Sequence, residues 1–169
     1  DLGTNLGHGP YKNSGLAKLW HRVVDTRKAV FQDFESYAPS NNEPAAFIGY
    51  PLFDEKGNVE AVVALQISLA TINEIMQQRA GMGATGETYL VGQDKRMRSD
   101  SFLDPQGHSV KASFAGNITD NGVDTKASRE ALAGKSGVEI VTDYNGNPVL
   151  SAYAPVHIGD TSWALLAEI

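Results

Sequence analysis

Polar side chains that could hold a small ligand alternate along residues 95–101. If this run is a β-strand, Arg96, Arg98 and Asp100 share one face, because successive side chains of a strand point to opposite sides. An arginine on the concave side of a small sheet can bind a ligand carboxylate through two parallel hydrogen bonds. The alternative is a structural ion pair between Arg98 and Asp100. We take these two residues as candidate ligand contacts.

A second cluster of candidates combines aromatic rings with a carboxylate. It runs through residues 31–37 and continues in the apolar segment around residues 47–50. Aromatic walls with one or two fixed charges suit a small-molecule pocket, whereas Phe31 and Phe34 also fit an ordinary core. The candidates from this cluster are Asp33, Tyr37, Phe47 and Tyr50, and Tyr144 and Tyr153 are added from a second, similar part of the chain.

No motif indicates catalysis, a cofactor or a metal. Residues 81–86 match the spacing G-x-G-x-x-G, but the dinucleotide fingerprint needs a strand before it and a helix after it, and here the order is reversed. The histidines are too scattered to place two ring nitrogens on one metal. Residues 143–147 begin like a calcium loop, but Ala154 stands where the bidentate glutamate belongs, so we expect a hairpin turn. Without a nucleophile elbow or a triad, we predict that the protein is not an enzyme.

The amino-acid composition argues against a nucleic-acid partner. The 169 residues carry 14 Lys+Arg against 20 Asp+Glu, a net charge of −6, whereas nucleic-acid binding relies on clustered positive charge. Cysteine is absent, which excludes disulfides and fits the cytosol or a bacterial periplasm. No apolar run reaches the roughly 18 to 20 residues of a membrane-spanning helix. Both ends look cut from a longer protein, so we expect any signal or membrane segment to lie outside the sequence.

An internal repeat organises the chain. Residues 44–51 and 148–155 are apolar runs that are each bounded by two prolines seven positions apart. Each run continues through a turn into another apolar strand, at residues 59–67 and 162–169. Upstream of each run lies a strand that ends in tyrosine, and before that strand lies a helical stretch, at residues 14–26 and 126–133. This order predicts two similar α+β units in tandem.

The second unit also has a predicted opening hairpin. Residues 87–92 and 96–101 are strand-like runs around a turn at residues 93–95. The order of elements is then strand, strand, helix, strand, strand, strand. A five-stranded antiparallel sheet with a helical insertion after its second strand is the PAS-like arrangement. The first unit has no equivalent hairpin, so we expect its opening strands to lie upstream of residue 1.

A helix is predicted between the two units. Residues 69–79 place four apolar side chains at helical spacing, with Ser68 as the N-cap and Gly81 as the stop. We therefore predict a boundary near residue 80, with a partial first subdomain at residues 1–80 and a second subdomain at residues 81–169. The predicted fold class is α+β, with two tandem PAS-like subdomains built on antiparallel sheets.

Several stretches of the sequence carry a family resemblance. They are Asp1-Leu2-Gly3-Thr4-Asn5-Leu6, Asp33-Phe34-Glu35-Ser36-Tyr37-Ala38-Pro39-Ser40, Pro44-Ala45-Ala46-Phe47-Ile48, Gly83-Ala84-Thr85-Gly86-Glu87-Thr88-Tyr89-Leu90-Val91-Gly92, Met97-Arg98-Ser99-Asp100-Ser101 and the closing Trp163-Ala164-Leu165-Leu166-Ala167-Glu168-Ile169. Together they resemble the extracytoplasmic sensor region, of the double-Cache type, of bacterial methyl-accepting chemotaxis proteins. The closing stretch is similar to the strand that precedes the second membrane helix in that family.

The resemblance implies a periplasmic sensor domain of a membrane-anchored receptor, with two PAS-like subdomains on a long N-terminal helix. In such receptors a small solute binds, usually in the membrane-distal subdomain, and shifts the stalk helices through which the receptor forms a homodimer. The sequence departs from the amino-acid-binding members, whose arginine followed shortly by Trp-Tyr has no counterpart here. In the nearest stretch, Leu19-Trp20-His21-Arg22, the order is wrong. We therefore leave the ligand unassigned and carry over no binding residue from the family.

Three hypotheses about function follow. The first is a ligand-sensing domain of a transmembrane chemoreceptor, with chemotaxis favoured over a histidine kinase or cyclase output. The second is a dimerisation or interaction module with filled pockets, which senses through a periplasmic binding protein. The third is a periplasmic enzyme, which no arrangement of catalytic residue types in the sequence supports.

Overall fold

The chain has a mixed α/β fold with antiparallel sheets, as the sequence predicts. The structure is a computed structural model that describes residues 3–169. It divides into two compact units, Asp1–Ile67 and Ser68–Ile169.

The described part of the first unit consists of one α-helix, a short 3₁₀ helix at Ala38–Ser40 and a three-stranded sheet. Its elements are α1 (Gly15–Thr26), β1 (Val30–Tyr37), β2 (Glu43–Phe53) and β3 (Val59–Gln66). The strands lie in the order β1-β2-β3 and pair antiparallel. The positions of the helix and of the three strands agree with the predicted ones to within a few residues.

Helix α1 provides the apolar face on which this sheet packs. The Ser14 hydroxyl caps the helix by accepting a hydrogen bond from the Ala17 amide at 3.3 Å, which satisfies one of the free amides of the first turn. Leu19 and Val23, one turn apart, are completely buried in a core cluster with Tyr37 and Phe47. A Cβ atom at Gly49 would lie 2.9 Å from Leu19 Cδ2, so glycine allows the strand to approach the helix closely.

The second unit consists of four helices and a four-stranded sheet. Its elements are α2 (Leu69–Met76), β4 (Glu87–Val91), α3 (Val110–Ala115), α4 (Ile118–Asn121), α5 (Lys126–Leu132), β5 (Gly137–Thr142), β6 (Pro148–Ile158) and β7 (Thr161–Glu168). The strand order is β4-β7-β6-β5, and all neighbouring strands pair antiparallel.

The second strand predicted for the opening hairpin, at residues 96–101, does not form. In residues 96–101 the backbone forms only an isolated bridge between Val91 and Met97. Side chains take the place of a ladder here: the Ser99 hydroxyl accepts the Leu90 amide at 3.0 Å, and Asp100 Oδ1 accepts the Val110 amide at 2.7 Å at the start of α3. The sheet therefore has four strands instead of the five predicted.

Helix α2 ends earlier than predicted, and it is grouped with the second unit. Ser68 is its N-cap, as predicted, but the helix stops at Met76. Arg79, which the prediction placed inside the helix, donates hydrogen bonds to the carbonyls of Gly83, Ala84 and Gly86. The compact units divide between residues 67 and 68, whereas the sequence placed the boundary near residue 80. Asn73 of α2 donates to Asp100 Oδ2 at 2.8 Å and accepts the Asp100 amide at 2.8 Å. These two hydrogen bonds explain why α2 is grouped with the second unit.

Candidate ligand-binding site

A groove of about 640 Å³ lies beside helix α5 in the second unit. It is bordered by α4, by the turn before α5 and the first turns of α5, and by β5 and the residues that follow it. The lining residues are Ile118, Thr119, Gly122, Asp124, Thr125, Lys126, Arg129, Ile140, Val141, Thr142, Asp143 and Tyr144.

Helix α5 is held in place by its cap and by a small-residue face. Thr125 and Ser128 form a reciprocal capping box, in which each side chain accepts the other's backbone amide. The Ser128 hydroxyl also donates to the Val123 carbonyl at 2.9 Å. Ala127, Ser128 and Ala131 are buried, and small residues allow a helix to lie close to a sheet. Lys126 and Arg129 are therefore left exposed beside the groove.

Charged groups of both signs surround the groove. Arg129 donates to Asp124 Oδ1 at 3.0 Å and to the Asp124 carbonyl at 2.8 Å. Lys126 donates to Glu139 on β5. This hydrogen bond raises the pKa of Lys126 and lowers the pKa of Glu139. The groove thus presents a cation and an anion within reach of one small polar molecule.

Tyr144 connects the groove with a buried hydrogen-bond network. It lines the groove, while its hydroxyl donates to Glu87 Oε1 and lies 2.8 Å from Ser101 Oγ. Burial raises the pKa of Tyr144, and the hydrogen bond to Glu87 raises it further. The phenol therefore stays a neutral donor throughout the physiological pH range.

Glu87 is the centre of this network and is only 2% exposed. Its Oε2 accepts the Ser101 hydroxyl at 2.8 Å, the Phe102 amide at 2.9 Å and the Leu103 amide at 3.2 Å. With Tyr144, four donors point at one carboxylate. Several donors stabilise the ionised form of a buried carboxyl group.

A histidine and an aspartate complete the surroundings of Tyr144. The His108 ring lies 4.1 Å from the Tyr144 ring, and its Nδ1 is 2.7 Å from Asp104 Oδ2. The hydrogen bonds from His108 and from the Gly107 amide lower the pKa of Asp104. These contacts anchor residues 102–109 against the tyrosine.

The structure separates the predicted site residues of the first unit. Tyr37 and Phe47 lie in the core, with ring centroids 5.0 Å apart, and burial and the nearby Tyr11 raise the pKa of Tyr37. Asp33 lies beside a register shift in β1, and its Oδ1 accepts the Phe34 amide at 2.8 Å. Tyr50 is 59% exposed. Their role as ligand contacts stays a prediction.

The predicted residues of the second unit also fall at different places. Arg98 is 2% exposed and pairs with Asp94 at 2.9 Å, and its role as a ligand contact stays a prediction. Asp100 caps α3 and binds Asn73. Tyr153 donates to Glu139 Oε1 at 2.9 Å. Of the predicted set, only Tyr144 lines the groove.

Sequence reasoning missed the charged residues of the groove and the buried glutamate beneath it. Lys126 and Arg129 lie three positions apart on a helix that was predicted, so helical spacing was a signal that could have found them. Glu87 gave no comparable signal, because a glutamate in a strand is normally exposed.

Within residues 3–169, no group of three or more His, Asp or Glu side chains could hold a metal ion. Across the same described range, no helix has the length and apolar character needed to cross a bilayer.

The second unit defines the class of protein. A four-stranded antiparallel sheet with helices between its first strand and the three strands that follow is consistent with a PAS-like fold. The family model of the Cache domain matches residues 8–169. The chain therefore belongs to the Cache domain family. No curated protein sequence matches the chain.

Solved structures of similar fold come from bacterial receptors. The periplasmic sensory domain of the Campylobacter jejuni chemoreceptor Tlp1 is 18% identical, with a TM-score of 0.62 over 88% of this chain and 53% of its own. The ligand-binding domain of the Pseudomonas aeruginosa amino acid chemoreceptor PctC, in complex with GABA, is 16% identical, with a TM-score of 0.62 over 99% of this chain and 65% of its own.

A third similar structure is the ligand-binding domain of the Pseudomonas fluorescens chemoreceptor CtaA, in complex with L-leucine. It is 15% identical, with a TM-score of 0.56 over 100% of this chain and 63% of its own. The chain thus spans between about half and two-thirds of the length of these structures. At these identities the likeness concerns the fold.

Proposed function

We propose that the chain is the extracytoplasmic sensor region of a bacterial transmembrane chemoreceptor, and that it binds a small polar molecule in the groove beside α5. Membership of the Cache family and the fold shared with chemoreceptor sensor domains support this function. The observation that carries the site is the groove itself, which combines Arg129, Lys126 and Asp124 with the aromatic ring of Tyr144.

Within this proposal, the two units are a pair of Cache subdomains. The internal repeat supports it: α1 followed by β1, β2 and β3 has the same order as α5 followed by β5, β6 and β7. The proline-bounded runs at residues 44–51 and 148–155 fall in β2 and β6. The parent receptor would be membrane-anchored on the periplasmic side and would form a homodimer through its stalk helices.

The groove favours a ligand that carries charge. A cation and an anion that are already paired with each other can exchange partners for a ligand at modest cost, because exposed ion pairs contribute little stability. The solved relatives in complex with GABA and L-leucine bind zwitterions, and this chain lacks the arginine and Trp-Tyr signature of amino-acid-binding members. The ligand panel must therefore extend beyond amino acids.

Calorimetric titration of the 169-residue chain tests the proposal, after a thermal-shift screen of amino acids, organic acids, amines and sugars. A ligand that binds the folded state raises the melting temperature by mass action. For a ligand found in this way, Arg129→Ala should weaken binding about tenfold to a hundredfold, as expected for the loss of a charge-assisted hydrogen bond.

Lys135→Ala is the matched control. Lys135 is an exposed cation just beyond α5 that pairs with Glu130 at 2.6 Å, and it does not line the groove. Equal weakening by both variants would contradict the site. No binding of any compound to the chain would contradict the proposed sensing function and favour an interaction module that senses through a binding protein.

The output of the parent receptor is a separate part of the proposal. The extracellular domain of the histidine kinase mmHK1S-Z2 shares the fold, with a TM-score of 0.60 at 17% identity. The sequence that follows residue 169 in the parent gene tests the choice. A methyl-accepting signalling coiled coil would support a chemoreceptor, whereas a kinase or cyclase domain would contradict it.

A further inference from the structure

Two buried glutamates face each other across neighbouring strands of the second unit. Glu87 of β4 is directly paired with Glu168 of β7, and the two residues are 2% and 3% exposed. Directly opposite residues of an antiparallel pair point to the same side of the sheet, with Cβ atoms about 5 Å apart. The sheet therefore brings two carboxyl groups together in a region shielded from water.

The two carboxyl groups have very different hydrogen-bond partners. Glu87 accepts from four donors, as described above. Glu168 Oε2 accepts the Tyr89 hydroxyl at 2.7 Å, whereas Oε1 has no hydrogen-bond partner within residues 3–169. Ser151 of β6 is opposite Glu168 in the register. It is completely buried, and its hydroxyl also lacks a partner among the described residues.

No described Lys, Arg or His forms an ion pair with either glutamate. The nearest charge on β5, Glu139, is bound by Lys126 and Tyr153. The buried face of α5 consists of Ala127, Ser128 and Ala131, which carry no charge. The titratable groups that face the pair are Tyr89 from β4 and, after β5, Asp143 and Tyr144, with His108 and Asp104 behind Tyr144.

Two negative charges cannot both persist in such a place without a cation, because burial and mutual repulsion both favour a neutral acid. The number of hydrogen-bond donors around each carboxyl group determines which glutamate is protonated. Four donors point at the Glu87 carboxyl group, whereas one points at Glu168. Burial raises the pKa of Glu168, and Asp143 and Glu87 add to the effect. The Tyr89 hydroxyl lowers the pKa, as does the Ser151 hydroxyl where it turns to donate to the ionised carboxylate.

We propose that Glu87 and Glu168 keep one proton between them to a higher pH than a free glutamate does, and that Glu168 carries it on Oε1 and donates it to Ser151 Oγ. This proton accounts for both buried atoms that lack a partner. It makes the end of β7 a proton-binding site, which Tyr144 connects with the groove but which does not rest on the function proposed for the groove. Because all three residues are buried, the species that neutralises the pair is a proton and not a dissolved cation.

The proposal fixes the sign of the pH dependence. The ordinary pKa of the carboxyl group is 4.5, so in the unfolded chain Glu168 loses its proton near that pH. The folded chain keeps the proton to higher pH. The contribution of Glu168 to stability is therefore fully present below pH 4.5, is lost as the pH rises towards the raised folded pKa, and is constant above it. Loss of the proton weakens the pairing of β7 with β4.

Glu168→Gln is the decisive variant, because its amide imitates the neutral acid. The amide oxygen can accept from Tyr89, and the amide nitrogen can donate to Ser151. We expect this variant to raise the melting temperature of the 169-residue chain at pH 8 by about 3 °C or more, and to have little effect at pH 4.5. Glu87→Gln is the matched control. It should lower the melting temperature at pH 8, because its amide nitrogen would face donors.

A direct measurement accompanies the variants. In a chain labelled with ¹³C at the glutamate carboxyl carbons, the Glu168 resonance, assigned by its loss in Glu168→Gln or its displacement in Ser151→Ala, should titrate above pH 4.5. A midpoint at or below 4.5 would overturn the proposal, as would a fall in melting temperature for Glu168→Gln that equals the fall for Glu87→Gln. If Glu168→Gln does not fold, the titration of the unsubstituted chain decides the question.

Discussion

The proline-bounded strands of the two units carry different residues at the same position. Phe47 is the third residue after the first proline of β2, and Ser151 is the third after the first proline of β6. Phe47 packs in the core cluster with Leu19 and Val23 of α1. Ser151 is equally buried but lies opposite Glu168. One position of the repeat is therefore used for apolar packing in the first unit and for a polar network in the second.

This difference shows how one fold supports two kinds of interior. The first unit is held by aliphatic and aromatic contacts, which depend on shape. The second unit buries glutamates, serines and tyrosines beside its groove, and buried polar groups are stable only while each is hydrogen-bonded. We therefore expect substitutions in the first unit to act through volume, and substitutions in the second unit to act through hydrogen bonds and pH.

Phe47→Ala should have the largest effect on stability. It removes a ring that is 4% exposed and lies in edge contact with Tyr37, and Phe→Ala changes in cores cost about 3 to 5 kcal/mol. The free energy of unfolding from urea titration measures the loss, which should not vary with pH between 5 and 8. A loss below 1 kcal/mol would show that the first unit does not depend on this core.

Each unit contains one tryptophan, so its unfolding can be followed separately. Trp20 lies in α1 and Trp163 in β7. In a Trp163→Phe background, fluorescence reports on the first unit alone, and in a Trp20→Phe background it reports on the second. Phe47→Ala should shift the Trp20 transition more than the Trp163 transition, whereas equal shifts would mean that the two units unfold together.

Tyr144→Phe should have the next largest effect, through a hydrogen bond. It removes the hydroxyl that donates to Glu87, and a hydrogen bond to a charged group is worth about 2 kcal/mol. The change should appear in the Trp163 transition. Tyr153→Phe is the control, since this hydroxyl donates to Glu139 at a partly exposed site and its loss should give no resolvable change. A Tyr144→Phe variant as stable as Tyr153→Phe would contradict the importance of the network.

The repeated elements of the fold were predictable from the sequence, because periodicity and proline placement are local signals. Strands β2 and β6 were recognised from their paired prolines, and α1 was recognised as the helical stretch that opens the first copy of the repeat. The short helices α3 and α4, with six and four residues, are too short to show a period. The run at residues 96–101 alternates like a strand, but its side chains bind backbone groups that a ladder would otherwise use.

The site was less predictable than the fold. Glu87 and Glu168 lie opposite each other only because β4 pairs with β7, and 80 residues separate them in the sequence. No local pattern indicates such a pairing. Tyr144 was found because it ends a predicted strand in the second copy of the repeat, as Tyr37 does in the first, although β5 ends two residues earlier in the structure, at Thr142. The sequence cannot show that one of these tyrosines lines a groove and the other lies in a core.

Gly49→Ala should lower the free energy of unfolding by about 2 kcal/mol, because the new Cβ atom would overlap with side chains that cannot move away. A Cβ atom there would lie 3.0 Å or less from Leu19 Cδ2, Leu19 Cγ and Val23 Cγ2, all in a buried core. At Gly137 of β5 a new Cβ atom would instead meet the Tyr153 ring, with its hydroxyl at 2.6 Å, and that side chain can turn into solvent. Urea titration should therefore show a smaller loss for Gly137→Ala. The reverse order would contradict this distinction.

The smallest difference that we expect between the two units is in the stability lost when a helix N-cap is replaced by alanine. Thr125 and Ser14 are the N-caps of α5 and α1 and accept amides at 3.2 and 3.3 Å, but Thr125 is buried and takes part in a reciprocal box with Ser128. Alanine at an N-cap costs about 0.5 to 2 kcal/mol. Thr125→Ala should lie near the upper end of this range, because the Ser128 amide is left buried and unpaired. Ser14→Ala should lie near the lower end, because water can replace the cap. Thermal melting measures both losses. If Ser14→Ala destabilises the protein more than Thr125→Ala does, burial does not determine how much these caps contribute to stability.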